Sequence, residues 1–210
     1  MTKSGIRGVS VPARQRSATG VFFASWLRAP LKVASIVPSS RRLGMTAARM
    51  IDPARPGWVI ELGGGTGPVT EQLLARRIPP QRLLVVERDP VLAGFLRERF
   101  PAPVLAEGDA LELGPLCQRY GVSQVHSIVC GLPVISMPKP VVEQLLRGCL
   151  ELLEPDGQFI QYTYSLFSPI PYAQYGIKPR HVTRVPFNIP PASVWTYGFR
   201  DPEAQRSRRG

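Results

Sequence analysis

From Trp58 to Phe199 the chain alternates short apolar runs with longer segments whose apolar residues recur every three or four positions. Short apolar runs are typical of buried strands, and the wider spacing is typical of helices with one apolar face. Strands are predicted at residues 58–62, 82–87, 104–107, 125–130, 158–164 and 194–199. Helices are predicted at residues 67–76, 90–100 and 139–153. Because strands and helices alternate, we expect an α/β fold with parallel strands and crossover helices.

Two segments interrupt the alternation of predicted strands and helices. Pro155-Asp156-Gly157 is predicted to be the turn between the third helix and the fifth strand. Residues 165–191 are rich in Pro and Tyr and show no periodicity, so we expect them to form an irregular cover over the site.

The N-terminal region follows a different pattern. After residues 1–17, which carry no periodicity, a helix is predicted from Thr19 to the residue before Pro30. Its apolar residues are Val21, Phe22, Phe23, Trp26 and Leu27. Bulky rings beside Arg28 and Lys32, with no acid nearby, are typical of a helix that lies in a membrane interface. The alternative is a helix packed on the protein's own core.

The distribution of charge along the chain indicates a class of binding partner. The net charge is +11, and residues 1–51 hold nine Lys or Arg and no acid, whereas residues 52–154 hold ten bases and twelve acids. Basic ends around a near-neutral centre favour contact with a polyanion, which is an anionic membrane or a nucleic acid. Basic arms that aid solubility, and an organellar transit peptide, are the alternatives.

Composition restricts the protein class. No apolar run reaches the ~18 residues that span a bilayer, and no secretory signal precedes the first strand. Cys117, Cys130 and Cys149 are too widely spaced for a metal or redox motif, so we expect buried reduced thiols and a cytoplasmic protein without a metal site.

The first predicted strand runs into the sequence E-L-G-G-G-T-G, which begins at Glu61. Gly63, Gly65 and Gly67 permit positive φ angles and a close approach of a ligand to the backbone. The spacing lacks the third glycine of a dinucleotide fingerprint and the Lys of a phosphate-binding loop. It resembles the first motif of class I methyltransferases, in which the turn cradles the methionyl part of S-adenosylmethionine and the acid faces its ammonium.

The next two strands also end in acids. Glu87, in V-V-E-R-D, is placed to accept hydrogen bonds from both ribose hydroxyls, and Arg88 follows it. Asp109-Ala110 resembles the family motif in which Asp accepts a hydrogen bond from the adenine amine. Signals at three successive strand ends meet at the carboxyl edge, where open α/β sheets bind ligands.

The fourth strand ends in Cys130-Gly131-Leu132-Pro133-Val134. Nucleic-acid amine methyltransferases resemble one another here through an Asn or Asp followed by Pro and an aromatic residue, which hold a flipped base. Gly131 and Val134 occupy the matching positions, so both base-holding elements are missing. We therefore expect Gly131 to lie at the cofactor and Leu132 and Pro133 to face a substrate that is not a planar base.

Over residues 20–198 the chain resembles the bacterial phospholipid N-methyltransferases, which methylate phosphatidylethanolamine toward phosphatidylcholine. The resemblance rests on F-F-A-S-W-L-R-A-P-L-K-V-A-S-I-V-P-S-S-R-R-L, E-L-G-G-G-T-G, V-V-E-R-D-P, G-L-P-V-I-S-M-P, F-I-Q-Y-T-Y and N-I-P-P-A-S-V-W-T-Y. Ala29 departs from the acid that usually precedes the proline in the first segment. Enzymes that act on ornithine lipids share these motifs.

This resemblance implies a Rossmann-like fold with a mostly parallel seven-stranded sheet and S-adenosylmethionine as the cofactor. It divides the chain into a basic, membrane-binding segment (1–50), a methyltransferase domain (51–200) and a basic tail (201–210). It also implies an enzyme that binds an anionic membrane through its N-terminal helix at the inner face of the plasma membrane, takes a phospholipid substrate and binds no nucleic acid.

Candidate substrate residues come from two clusters. Aromatic faces hold methylated ammonium ions by cation–π attraction, and the candidates are Tyr162, Tyr164, Tyr172, Tyr175, Trp195 and Tyr197. Of these, Tyr164 directly precedes the predicted cover, and Tyr172 and Tyr175 lie within it. Arg180 is the predicted ligand of the lipid phosphate, with Lys178 and Arg184 beside it and His181 as a proton acceptor. Ser39 and Ser40 are counted among the substrate-binding candidates and are placed either to contact the carboxylate of the cofactor or to cap a helix that begins at Arg41.

Two other functions remain open from the sequence. An rRNA adenine methyltransferase is also basic and shares the three cofactor motifs. A lipid-binding module with a vestigial cofactor site would not require Glu61, Glu87 and Asp109 to be intact.

Overall fold

The computed structural model describes residues 37–165, 167–186 and 191–207, and these form one seven-stranded sheet flanked by helices. The strands are β1 (Trp58–Leu62), β2 (Leu83–Glu87), β3 (Val104–Glu107), β4 (Val125–Cys130), β5 (Leu153–Thr163), β6 (Ile177–Val185) and β7 (Ala192–Phe199). The helices are α1 (Val37–Arg49), α2 (Pro68–Ala75), α3 (Pro90–Arg99), α4 (Leu113–Arg119), α5 (Lys139–Leu152) and α6 (Pro202–Ser207).

The sheet has the strand order β3-β2-β1-β4-β5-β7-β6. β1 to β5 pair in parallel, whereas β7 pairs antiparallel with both β5 and β6. The chain moves outward from β1 to β3 and then returns to β4 on the other side of β1, so the strand order reverses between β1 and β4. Open α/β sheets bind ligands at the carboxyl ends of strands beside such a reversal. The predicted Rossmann-like, mostly parallel fold is confirmed.

α1 packs against α2 on one face of the sheet. Leu43 of α1 and Leu73 of α2 are both buried in the same apolar cluster. Gly44 allows this close packing, because a Cβ atom there would lie 2.9 Å from the carbonyl oxygen of Pro68. α1 belongs to the same compact unit as the sheet.

The three cysteines lie where β4, α4 and α5 meet. Cys117, Cys130 and Cys149 are buried free thiols, as predicted. Burial raises the pKa of Cys117 to about 11 and that of Cys130 to about 12, and it raises the pKa of Cys149 as well. Because the thiolate is the reactive form, these side chains act as packing groups.

The segment at residues 165–191 differs from the prediction, because it contains the edge strand β6 after a short 3-10 turn, Tyr172–Tyr175. The proline at position 179 and the charged residues of this strand indicate a loop from sequence alone. Edge strands tolerate proline and exposed charges, since one of their sides pairs with no neighbour. The ladder between β6 and β7 shifts register between Pro179 and His181 to accommodate this irregularity.

Further differences from the prediction concern α1, α4 and β5. α1 begins at Val37 rather than Arg41, and α4 occupies a stretch for which no helix was expected. β5 already begins at Leu153, which pairs with Val125, and the ladder then shifts register before Gln158. The predicted turn at residues 155–157 is therefore an irregularity within β5.

The predicted helix at residues 19–29 lies outside the described residues. Within the described part of the chain, no helix has the length and apolar character needed to cross a bilayer.

Candidate active site

A glycine-rich turn joins β1 to α2 at the carboxyl edge of the sheet. Gly63, Gly65 and Gly67 have φ angles of 77°, 56° and 85°, which other residues adopt only with strain. The turn is held against β2 because the backbone N–H of Gly63 donates to the carbonyl oxygen of Val86 at 2.8 Å. A Cβ atom at Gly67 would overlap the ring of Phe100, whereas one at Gly65 would meet no atom within 4 Å. The turn therefore leaves open space at Gly65, where a ligand can approach the backbone.

Glu61 ends up beneath this turn, with a side chain that is only 1% exposed. Its Oε2 accepts a hydrogen bond of 2.7 Å from the hydroxyl of Thr70 on α2. Burial raises the pKa of Glu61 from 4.5 to about 8, and the nearby Glu87 carboxylate raises it further, whereas the Thr70 hydrogen bonds lower it. A cation bound beside this carboxyl would stabilise its ionised form.

Glu87, at the end of β2, fixes the shape of the turn. One carboxylate oxygen accepts the N–H of Gly65 at 2.8 Å, and the other accepts the N–H of Asp89 at 2.9 Å. Asp89 in turn caps α3 by accepting the N–H groups of Val91 and Leu92. Each oxygen of Glu87 keeps a second lone pair, so this carboxylate is held in place and can still accept hydroxyl groups of a ligand.

Asp109 and Arg88 meet across the ends of β2 and β3. Arg88 Nη1 lies 3.3 Å from Asp109 Oδ2, and both side chains are about one-third exposed, at 31% and 34%. The other oxygen of Asp109 accepts the N–H of Leu111, in a short turn that begins at the buried Ala110. The acids predicted at the three strand ends are therefore brought to one edge in the expected order.

The end of β4 closes this edge on the other side. The N–H of Gly131 donates to the carbonyl oxygen of Leu62 at 2.8 Å, which joins the strand end to β1. A Cβ atom at Gly131 would lie 2.6 Å from the hydroxyl of Tyr162, and one at Gly63 would lie 2.9 Å from Leu132 Cδ2. Leu132 and Pro133 are half-buried beside the glycine turn. Only a glycine fits at position 131 without moving its neighbours.

Two residues of β5 support this arrangement: Gln161, which the prediction did not assign to the site, and Tyr162, which was among the aromatic candidates. Gln161 Nε2 donates to the carbonyl oxygens of Leu132, at 3.1 Å, and of Tyr162, at 2.9 Å. Burial raises the pKa of the Tyr162 hydroxyl, which lies against Gly131, and the Glu61 carboxylate raises it further. The sequence signal for Gln161 is its position between the large apolar residue Ile160 and the aromatic residue Tyr162, where a buried polar side chain is unusual. No comparable feature of the sequence singles out Thr70, which donates a hydrogen bond to Glu61.

The predicted aromatic candidates do not form one group: Tyr172, Trp195 and Tyr197 pack together, whereas Tyr164 lies apart from them. Tyr164 follows the carboxyl end of β5 and is 47% exposed, whereas Tyr172 packs on Tyr197 with their ring centroids 6.1 Å apart. Tyr175 lies two residues before Ile177, the first residue of β6, which pairs with Phe199, the last residue of β7. Phe199 is six residues along β7 from Ser193, which pairs with Thr163 at the carboxyl end of β5. Six residues of a strand correspond to about 20 Å, so Tyr175 and Tyr164 lie near opposite ends of β7.

Tyr197 and Trp195 are part of the packing beneath this region. Tyr197 is fully buried, and its hydroxyl forms a hydrogen bond of 2.8 Å with Ser168. Its ring lies 6.2 Å from that of Trp195 in a stacked arrangement and 6.4 Å from that of Phe159. Tyr197 therefore organises an aromatic cluster and is not itself an open cage wall.

The predicted basic cluster is spread along β6. Arg180 donates to the carbonyl oxygen of Asp156, near the start of β5, and its guanidinium lies over Gly198. Lys178 pairs with Gly198, so the side chains of Lys178 and Arg180 both lie toward the amino end of β5. Arg184 pairs with Ser193, at the level of Thr163, and so belongs to the carboxyl end. The structure thus separates Lys178 and Arg180 from the edge that carries the acids.

The remaining candidates lie elsewhere. His181 is exposed, and its Nε2 forms a hydrogen bond of 2.9 Å with the hydroxyl of Thr183. Ser39 and Ser40 fall within the first turns of α1 rather than before it, and their side chains lie outside the description. Among the described residues, no group of His, Cys, Asp and Glu is arranged to hold a metal ion.

The known proteins that are similar in sequence to this chain are methyltransferases. No protein-family model matches the chain. The chain is 35% identical over 183 residues to an ornithine lipid N-methyltransferase from Singulisphaera acidiphila, which covers 83% of this chain and 93% of that relative. It is 34% identical over 125 residues to ribosomal RNA small subunit methyltransferase A from a Synechococcus species, covering 58% of this chain and 38% of that protein.

A solved structure gives the same fold. The chain is similar to 1,6-didemethyltoxoflavin-N1-methyltransferase from Burkholderia thailandensis, determined with bound 1,6-didemethyltoxoflavin and S-adenosylhomocysteine. The TM-score is 0.66 at 16% identity, and the match covers 90% of this chain and 92% of that one. At this identity the similarity shows the fold alone.

Proposed function

Because the chain belongs to the class I S-adenosylmethionine-dependent methyltransferases, we propose that it transfers methyl groups to the primary amine of a membrane lipid, with ornithine lipid as the first candidate. The observation that carries the proposal is the 35% identity to an ornithine lipid N-methyltransferase over 93% of that relative's length. A match over nearly the whole relative includes the strands and loops that would contact the acceptor, and is not confined to the cofactor motifs.

S-adenosylmethionine is the cofactor of this family, and the carboxyl edge of the sheet fits it. In this proposal Gly65 offers open space to the methionyl part, and buried Glu61 faces the ammonium. Glu87 accepts the ribose hydroxyls, and Asp109 accepts the adenine amine while paired with Arg88. The raised pKa of Glu61 supports the first contact, because a cation at that position would relieve the cost of ionising a buried carboxyl.

The acceptor amine must be neutral when it reacts. An alkyl ammonium has a pKa of ~10.4, so only about one molecule in 2,500 is a free amine at pH 7. Bound S-adenosylmethionine supplies an electrophilic methyl group: a C–N bond forms as the C–S bond breaks, the electron pair stays on sulfur, and a proton leaves nitrogen. Burial of the amine near the end of β4 favours its neutral form, and alignment at ~3 to 3.5 Å favours attack.

The headgroup is the finer part of the proposal. Phosphatidylethanolamine, the substrate first expected from the sequence, carries a phosphate diester, whereas ornithine lipid carries a carboxylate. The argument for a phosphate relied on Arg180 with Lys178 and Arg184 beside it. Arg180 and Lys178 lie toward the amino end of β5, and of the three only Arg184 lies at the carboxyl end. Together with the identity of the relative, this favours ornithine lipid and leaves phosphatidylethanolamine as the alternative.

A second function, adenine methylation in ribosomal RNA, has a specific observation in its favour. The similarity to ribosomal RNA small subunit methyltransferase A extends over 58% of this chain. It covers only 38% of that protein, however, and Gly131 and Val134 replace the residues that would hold a flipped base. The lipid proposal needs neither of those side chains.

Membrane contact follows from the lipid proposal. We place the enzyme at the inner face of the plasma membrane, with the segment around Phe23 and Trp26 in the interface and the N-terminal bases against anionic lipid. A variant with Phe23→Glu and Trp26→Glu should no longer float with anionic vesicles, while binding of S-adenosylmethionine is retained. Unchanged flotation would contradict this role of the segment.

The test of the proposed function uses the full chain and methyl-labelled S-adenosylmethionine. Separate reactions contain vesicles with ornithine lipid, vesicles with phosphatidylethanolamine, or unmodified small-subunit ribosomal RNA. The proposal expects label in the lipid extract, most rapidly with ornithine lipid. Label in RNA alone would support the second function, and label in none of the three would reject both.

A further inference from the structure

Three buried polar atoms in the described part of the chain have no hydrogen-bond partner: Gln161 Oε1, Ser193 Oγ and Trp195 Nε1. Buried polar atoms are nearly always bonded, so each exception calls for an explanation. Gln161 pairs directly with Trp195 in the antiparallel ladder of β5 and β7, and Ser193 lies two residues from Trp195. Directly paired residues and residues two apart share one face of a sheet. We call these three residues the β5–β7 polar row.

The polar row starts beside the proposed methyl-transfer site. Gln161 pairs with Cys130, the last residue of β4, and its Nε2 donates to the carbonyl oxygen of Leu132. Leu132 in turn lies against the glycine turn that would hold the cofactor. The row then extends away from β4 to Ser193 of β7, which pairs with Arg184 of the edge strand β6. From the level of Gln161 to that of Ser193 is two residues, about 7 Å along the strands.

The chemistry of the row is asymmetric. Gln161 Oε1 can only accept a hydrogen bond, Trp195 Nε1 can only donate one, and Ser193 can donate. An acceptor beside the methyl-transfer site and donors farther away complement a molecule with an amine at one end and an anion several bonds away. Arg184, on the same face as Ser193, adds a positive charge at the anionic end.

We propose that the β5–β7 polar row is the headgroup subsite, in which Gln161 Oε1 accepts from the lipid amine while Trp195 Nε1 and Ser193 Oγ donate to its carboxylate or phosphate. This proposal rests on the proposed lipid N-methylation. It assigns to Gln161 the amine-holding task that an Asn or Asp at the end of β4 performs in the nucleic-acid enzymes. Here β5, the neighbouring strand, supplies the amide because position 131 has room only for glycine.

The anionic end is tested with Trp195→Phe, which removes the N–H and keeps a ring, and with Ser193→Ala. Each should raise the KM for lipid about tenfold, as expected for loss of a hydrogen bond to a charged group, while the Kd for S-adenosylmethionine stays unchanged. Thr196→Val is the matched control, because Thr196 lies on β7 but on the opposite face and donates to the carbonyl oxygen of His181. It should leave the KM for lipid unchanged.

The amine end is tested with Gln161→Leu and Gln161→Glu. The first should lower kcat/KM about tenfold or more. The second places a carboxylate beside the amine and stabilises the ammonium, so the rising limb of the pH profile of kcat/KM should move to higher pH. A role in packing alone would not move that limb. If Gln161→Glu fails to fold, as judged by circular dichroism, the kinetics of Gln161→Leu decide the point.

Each variant is assayed on vesicles with ornithine lipid and on vesicles with phosphatidylethanolamine, which separates a carboxylate from a phosphate ligand. If the wild-type chain methylates neither lipid, the proposed function fails. If it methylates either one and the polar-row variants keep the wild-type KM and pH profile, only the headgroup subsite is wrong. Variants that gain thermal stability without any kinetic change would point to a row that holds water, and would also overturn the subsite.

Discussion

Replacing Glu61 by Gln should change how the stability of the protein depends on pH. Burial raises the pKa of Glu61 from 4.5 to about 8 in the folded chain. Between these two values the folded protein holds a proton at Glu61 that the unfolded chain has released. The stability contributed by this group is therefore fully present below about pH 4.5 and is lost as pH rises to about 8.

The size of the effect follows from the same two values. Each pKa unit corresponds to about 1.4 kcal/mol, so the whole change between 4.5 and about 8 is worth roughly 5 kcal/mol. Between pH 6 and pH 8 the wild-type protein should lose roughly 2 kcal/mol relative to Glu61→Gln, which has no proton to release. For a chain of this size that loss corresponds to a change of about 4 to 8 °C in Tm.

The assay is thermal unfolding of both proteins, without cofactor, in buffers from pH 5.5 to pH 9. The difference in Tm between Glu61→Gln and the wild type should move in favour of the variant across this range. Glu107→Gln is the control, because Glu107 is an exposed acid at the end of β3, where it pairs with Arg97. Parallel Tm curves for Glu61→Gln and the wild type would refute the reasoning, since they would mean that Glu61 is already ionised in the folded protein.

Three other substitutions test separate parts of the site. Glu87→Ala should weaken binding of S-adenosylmethionine at least tenfold by calorimetry, because the carboxylate also holds the N–H of Gly65; normal binding would remove Glu87 from the site. Gly131→Ala should cost about 1 to 3 kcal/mol in chemical unfolding through its contact with the Tyr162 hydroxyl, and adding Tyr162→Phe should recover part of this loss. Arg180→Gln should leave the KM for lipid unchanged in the vesicle assay, because Arg180 bonds to the carbonyl oxygen of Asp156. A large increase in KM would support the original prediction that Arg180 binds the lipid phosphate.

The buried strands could be predicted from the sequence because both of their faces are covered, which produces continuous apolar runs such as L-L-V-V in β2. The acids at strand ends could be predicted for a related reason, since each follows its run directly and parallel strands end at one edge. β6 could not be predicted, because an edge strand tolerates Pro179 and several exposed charges.

The acceptor side of the site required the tertiary structure. Arg180 and Arg184 look equivalent in sequence, yet the register of β6 on β7 places them at different ends of the sheet. Tyr164 and Tyr175 are separated by a segment that passes from one end of the strands to the other, and no local pattern encodes that path. Gln161 is one of several polar residues in β5, and its unpaired oxygen becomes evident only once the structure shows Leu132 and Trp195 as its neighbours.

The most direct test of the central claim is the lipid mass spectrum of a bacterial host that makes ornithine lipid and phosphatidylethanolamine but methylates neither. Expression of the chain should produce ornithine lipid carrying one or more added methyl groups on its amine, and expression of Glu87→Ala should not. An unchanged lipid spectrum, together with new methylated adenine in ribosomal RNA, would contradict lipid N-methylation.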